Sequence, residues 1–268
     1  MKLFAFTIDL EAEYSGCIKN QDIFNDTVDI EKILSLLDSF GVKITVFVVS
    51  RLFQEQRSII RLFEKYNCEF QVHSHSHDIA DTNSESEIKR SKLAYFDYFK
   101  KCPVGYRVPQ GRLSGDIISS LKKHGFLFDS SIIPSYYPNP LRYLFRNRNI
   151  GYIGDSHILE IPITSISPFR LALTLSYIKL LGINFYLRLF RLFGLPEVIC
   201  FASHLHDFIV KEGSYNNLSW FWKFIYGRNK YSGIDFCKIF LEYVKERNYD
   251  FCYLSEIYND YRQGKLTG

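Results

Sequence analysis

Along this chain, short apolar runs alternate with longer stretches in which apolar positions recur every three or four residues. A run of four to eight apolar residues suits a strand buried on both faces, and the longer spacing suits a helix with one buried stripe. Eight runs read as strands: Leu3 to Ile8, Ile44 to Val49, Glu69 to His73, Val104 to Arg107, Phe126 to Phe128, Ile158 to Ile161, Val198 to Ser203 and Asp250 to Tyr253. Between them, Thr27 to Phe40 sets Ile30, Ile33, Leu34 and Leu37 on one face and stops at Gly41, which takes a left-handed cap without strain. Further helices are predicted over Glu55 to Tyr66, Glu85 to Lys100, Asp116 to His124 and Ile234 to Arg247. This alternation builds β/α units around a mainly parallel sheet. The expected fold is therefore α/β, a closed or slightly open β/α barrel of seven or eight strands, although an open doubly wound sheet would read the same way.

One stretch breaks the rhythm. Residues 168–196 read PFRLALTLSYIKLLGINFYLRLFRLFGLP, with Arg170, Lys179, Arg188 and Arg191 set among apolar residues. Four cations and Gly182 argue against a membrane-spanning helix and for a pair of amphipathic helices. These could form a lid, a peripheral membrane contact or, as the expected reading for most of the segment, ordinary barrel helices. No repeat or linker interrupts the chain, so a single catalytic domain over 1–268 is expected, carrying this segment as an insertion.

Composition narrows the function. A hydrophobic content of 47% in 268 residues suffices for a full core. The 24 Phe and 19 Tyr suit both that core and a groove that stacks on sugar rings, with the core expected to take most of them. A net charge of +4 from 33 basic and 29 acidic residues is too balanced for a nucleic-acid binder. Cys17, Cys68, Cys102, Cys200, Cys237 and Cys252 show no CxxC spacing and lie in apolar surroundings, which predicts reduced, buried thiols. The opening MKLFAFTIDLEAEY has acids at positions 9 and 11 and no signal-peptide pattern, so a cytoplasmic location is expected, with the inner membrane face as an alternative.

The candidate chemistry sits where strands end. Asp9 and Glu11 are two residues apart and so point to one side of the sheet; Glu13 would join them only if the strand continued. In EFQVHSHSHD, His73, His75 and His77 fall within five residues. A single histidine is usually structural, but three beside a carboxylate pair point to a divalent metal. Imidazole and carboxylate ligands suit Zn2+ best, with Co2+, Ni2+, Fe2+ and Mn2+ as alternatives. GYRVPQG brings Arg107 to the same rim, where a guanidinium would orient an acid and keep it ionised; the plainer reading is a surface arginine in a turn. FDSS supplies Asp129, and CFASHLHDF supplies His204, His206 and Asp207.

Taken in order, these five segments resemble the motifs of the polysaccharide deacetylases of carbohydrate esterase family 4, the NodB-homology family. TIDLE resembles the Asp-x-Glu form used by one branch; His73, Ser74 and His77 match the second motif, leaving His75 over. Arg107 and Pro109 match Arg-x-Pro, Asp129 matches the fourth motif, and HLHDF matches the last except for Leu205, where that branch has proline. The resemblance spans about residues 3–208 and implies a distorted (β/α) barrel that hydrolyses the N-acetyl group of an amino sugar, in a polysaccharide or a cell-surface glycan precursor. It implies metal ligands Glu11, His73 and His77, with Asp9 as base, although the two acids could exchange roles. It further implies Arg107 orienting Asp9, His204 as acid, and Asp129 holding and charging that histidine. Leu205 leaves the choice between His204 and His206 open, and His206 otherwise joins Pro109 as a substrate contact. NFYLRLF resembles a stretch near the branch's groove, which would make Tyr186 and Arg188 sugar contacts. Competing expectations are an amide hydrolase of nitrogen metabolism on the same scaffold, or a catalytically silent metal- or glycan-binding barrel. Oligomeric state is not legible.

Overall fold

The computed structural model describes all residues except 15–17, 20, 79–83, 136–145, 167, 212–217 and 267–268. Its main sheet contains β1 (Leu3–Leu10), β2 (Ile44–Val48), β3 (Cys68–Val72), β4 (Gly105–Tyr106), β5 (Phe128–Asp129), β6 (Gly151–Tyr152), β7 (Leu159–Glu160), β8 (Val198–His204) and β9 (Asp250–Phe251). The order is β8-β1-β2-β3-β4-β5-β7-β6, with β9 also paired to β1. Every pairing is parallel except that of β6 with β7. All eight predicted strands lie in this sheet. The addition is β6, a two-residue antiparallel edge too short to leave a periodic signal.

The sheet curls until its flanks meet. Beyond β7, the Thr164 amide donates to the Cys200 carbonyl of β8 at 3.0 Å, and the Cys200 amide donates to Thr164 Oγ1 at 2.9 Å. This pairing in place of a regular strand makes the barrel distorted and covers a polar edge.

Period-two alternation on β1 sorts its side chains. Phe4, Phe6, Ile8 and Leu10 join the core under the helices, whereas Leu3 and Ala5 join Phe47, Phe128, Leu159, Cys200 and Ala202 in a second cluster. Thr7 and Asp9 continue this second face towards the C-terminal ends of the strands. Aromatic packing is densest on the helix side, where Phe201 lies 5.2 Å from Phe6 and 5.0 Å from Phe240.

The covering helices include α1 (Thr27–Ser39), α2 (Arg57–Glu64), α3 (Glu85–Phe99), α4 (Gly115–Lys123), α5 (Leu175–Leu181), α6 (Ile183–Phe193), α7 (Trp220–Gly227), α8 (Gly233–Lys245) and α9 (Leu254–Arg262). Gly41 follows α1 with φ 73°, as its cap role predicts. The predicted helix over Glu55 to Tyr66 is instead a single turn, Leu52–Glu55, followed by α2, because Gln56 leaves helical geometry at φ −129° and ψ 46°. The insertion forms α5 and α6, divided at Gly182. Its buried side packs on α8 through Phe190, 5.6 Å from Phe240 and 5.4 Å from Tyr243. Among the described residues no helix is long and apolar enough to cross a membrane.

The five described cysteines are all unpaired. Cys200, Cys237 and Cys252 are buried, but Cys102 is exposed, contrary to expectation; Cys17 lies outside the described residues.

Candidate metal centre and active site

β1 delivers Asp9 and, just past its end, Glu11; both side chains are buried. The chain leaving β3 delivers His73 and His77. Glu11 Oε2 lies 2.6 Å from His77 Nε2 and 3.6 Å from His73 Nε2. One donor atom from each of the three residues falls within 4.8 Å of the others. Burial alone would raise the Glu11 carboxyl, but His77, His73 and His204 together outweigh it and hold the group well below its ordinary value. Glu11 Oε2 is buried without a well-aligned hydrogen bond, as a carboxylate oxygen awaiting a cation would be. Two imidazoles and a carboxylate converging there fit a divalent ion of the zinc class.

The second ring nitrogen of His73 fixes its tautomer. Nδ1 lies 2.8 Å from the Arg107 carbonyl, an atom that can only accept, so Nδ1 carries the proton and Nε2 is left to ligate. His75 points elsewhere, with Nδ1 2.9 Å from Ser50 Oγ, which is why the motif leaves it over.

Arg107 is a buried cation whose donors are all engaged. Nη1 donates to Asp9 Oδ1 at 2.6 Å and to Thr7 Oγ1 at 2.8 Å; Nε and Nη2 donate to the Ser130 carbonyl and hydroxyl at 2.8 and 2.9 Å. The guanidinium also lies 4.1 Å from the Phe47 ring centroid. With Oδ1 occupied, the other oxygen of Asp9 faces His204, at 3.5 Å from Nε2. His204 Nε2 is also 3.6 Å from Glu11 Oε1.

The partner of His204 corrects one expectation. Asp129 does not hold it: that carboxylate accepts from Ser131 Oγ at 2.7 Å and from Ser131 N at 3.1 Å, and pairs across the β5–β7 register with Glu160. Asp207 takes the role instead. Three residues beyond His204 in the one-turn helix Leu205–Phe208, it accepts from the His204 amide at 2.9 Å and lies 3.5 Å from His204 Nδ1. Burial works against protonation of His204, but the Asp207 contact and the charges of Glu11 and Asp9 raise its pKa to about 9. Burial pushes the neighbouring His206 down to about 4, which leaves it neutral at pH 7.

The remaining expectations divide. Pro109 is buried immediately after the Arg107 strand end. Tyr186 is wholly buried, with its hydroxyl donating to the Ala172 carbonyl at 2.7 Å, so it serves the core and not a groove. Arg188 is exposed on the outer side of α6. Sequence reasoning passed over Thr7, Ser130 and the Asp207 role. Thr7 carried a signal, being two residues before Asp9 on the same face.

These features describe a (β/α) barrel bearing a Glu-His-His donor set at the C-terminal ends of its strands. A family model, "Polysaccharide deacetylase", matches residues 23–128, a segment that contains His73, His77 and Arg107. A curated relative, the peptidoglycan deacetylase-like protein FGM2 of Gibberella zeae, is 27% identical over 116 residues; the match covers 41% of this chain and 34% of the relative. The chain thus spans about a third of that relative's length. Among solved structures, a Mycobacterium smegmatis protein assigned as a polysaccharide deacetylase aligns with TM-score 0.64 at 20% identity, covering 99% of this chain and 92% of its own. The Puue allantoinase aligns with TM-score 0.65 at 13% identity, covering 98% and 91%. Both likenesses establish the distorted (β/α) barrel.

Proposed function

We propose that this protein is a divalent-metal-dependent N-deacetylase acting on an N-acetylated amino sugar, in a polysaccharide or a cell-surface glycan precursor. The observation that carries this reading is Asp9, fixed by Arg107 on one oxygen and facing His204 with the other, directly beside the Glu11, His73 and His77 donors. A binding protein would need the donors but neither the base nor the acid.

Glu11, His73 and His77 would hold the ion, which when bound supplies Lewis acidity to the acyl carbonyl and lowers the pKa of water. Asp9 accepts the proton of the water that attacks the carbonyl carbon. His204, kept charged by Asp207, gives its proton to the nitrogen as the C–N bond breaks, releasing acetate and the free amine. Arg107 holds Asp9 in position.

The test pairs two variants. Asp9→Asn should keep bound Zn2+ and lose at least about a hundredfold in acetate release, the scale of a general base; His77→Ala should lose the ion. Undiminished release with equal metal content in both would sink the assignment.

A second reading, an amide hydrolase of nitrogen metabolism, draws on the fold shared with the Puue allantoinase. Turnover of a cyclic ureide with none of acetylated amino sugars would favour it.

A membrane-proximal glycan precursor is the form of substrate that the insertion suggests. The outer side of α6 exposes Phe185, Leu192 and Phe193 together with Arg188 and Arg191. No acidic residue occurs anywhere in 168–196. Apolar and cationic residues sharing one helix face suit an anionic lipid surface.

A further inference from the structure

The two histidines of the donor set are joined by a loop with an uncommon backbone conformation. Ser74 and His77 both adopt left-handed backbone, at φ 61° and 62°, and neither is glycine. Such backbone is strained for residues other than glycine and persists where surrounding contacts over-determine it. Part of the restraint comes from the chain after β2: the Ser50 amide donates to the Ser74 carbonyl at 3.0 Å, and the Arg51 amide to the His75 carbonyl at 3.3 Å. These bonds secure one side of the loop.

Within the loop the His77 amide donates to Ser74 Oγ at 3.1 Å, and a buried carboxylate holds the other side. Glu87, in the first turn of α3, has no solvent exposure, and its Oε2 accepts from the amides of both His75 and Ser76, at 3.0 and 2.8 Å. Oε1 is paired with the Arg90 guanidinium. The sequence around it offered a cheaper use. Ser84-x-x-Glu87 is a capping-box pattern, in which the glutamate folds back onto the Ser84 amide. Only half of that box forms: the Glu87 amide donates to Ser84 Oγ at 3.2 Å, while the carboxylate goes to the loop. Burying an ionised carboxylate is costly, and here the offset comes from Arg90 and from two amides lying between the candidate ligands.

We propose that Glu87 is a positioning residue of the metal centre, fixing the loop that sets His73 and His77 at ligating separation. The inference rests on the metal-site reading above. His73 is anchored independently, through its amide to the Val48 carbonyl at 2.8 Å and its ring to Arg107. Glu87 therefore acts chiefly on where the chain carries His77.

Glu87→Gln is the sharpest probe. It keeps size and one accepting oxygen, so its NH2 group faces either the two loop amides, from which it cannot accept, or the Arg90 guanidinium, which repels it. Zn2+ affinity is measured per folded protein by competition with a chromogenic chelator, for wild type, Glu87→Gln and Glu87→Ala, alongside the thermal midpoint of each metal-free protein. Glu87→Gln should weaken Zn2+ binding about 10- to 100-fold, the range for residues that orient ligands, with Glu87→Ala weaker still. Should Glu87→Ala fail to fold, Glu87→Gln decides alone. A purely structural Glu87 would lower the metal-free midpoint and leave the affinity of the folded protein unchanged, and that result overturns the proposal. Wild type that binds no Zn2+ would overturn the metal-site reading itself, a failure visible before any variant is compared.

Discussion

Glu160 shows how the barrel wall raises the pKa of a carboxyl. Its Oε1 accepts from the Ile132 amide at 2.8 Å, and its β-register neighbour is Asp129. Burial and then the Asp129 charge both raise the Glu160 pKa well above its ordinary value of 4.5; burial raises Asp129 as well. The pair therefore retains a proton that the unfolded chain gives up. With more protons bound in the folded state, stability falls as pH rises from about 4.5 to the raised value and levels off beyond it. Glu160→Gln keeps an acceptor for Ile132 and a donor for Asp129 without titrating. Its urea midpoint should decline less between pH 4.5 and 8.5 than that of wild type, and parallel profiles would refute the shared proton. Sequence could not anticipate this. Asp129 and Glu160 are 31 positions apart and meet only through strand register, so Asp129 read as a partner for His204 when its partner was elsewhere.

At the scale of elements, the insertion is tied to the chemistry from behind. Ser176 of α5 donates to Asp207 Oδ1 at 2.7 Å, and Lys179 donates to the Asp207 carbonyl at 2.8 Å. The first residue of α8 closes on the same spot: a Cβ at Gly233 would come within 1.9 Å of the Asp207 carbonyl oxygen. Gly233→Ala must displace the backbone that carries Asp207. It should cost about 1–3 kcal/mol in stability, the range for overpacking, and lower turnover more than Zn2+ affinity. Chemical denaturation with a metal titration separates the two effects, and equal turnover would refute the coupling. On its outer side, α6 predicts a different measurement. Sedimentation with phosphatidylserine-containing vesicles should fall at least about tenfold in Arg188→Glu/Arg191→Glu, because each cation near such a surface contributes about 1 kcal/mol. Equal sedimentation of variant and wild type would remove the membrane contact. Both helices were legible from apolar spacing, but the pattern could not tell that Tyr186 faces inward towards the core, because an aromatic at helical spacing serves a core or a groove equally well.

Across the whole molecule, the parallel strands were readable because burial on both faces writes continuous apolar runs. The antiparallel β6 and the break at Gln56 were not, being too short to alter a periodic window. The site was half legible. Residues close in sequence, such as Asp9 with Glu11 and His73 with His77, declared themselves by spacing. Arg107 was placed at the rim by the strand end in GYRVPQG, but its reach to Thr7 and Ser130 depends on how the sheet curls.

The pairing of β1 with β8 joins Asp9 to His204 in direct register. During synthesis β1, which bears Asp9, precedes His204 on β8 by about 195 residues, roughly 10–40 seconds at ordinary elongation rates. Through that interval the edge of β1 that faces β8 stays unpaired and Asp9 lacks His204. Nascent chains of this protein therefore expose an unpaired strand edge until β8 is made, whereas Glu11, His73 and His77 can come together well before His204 exists.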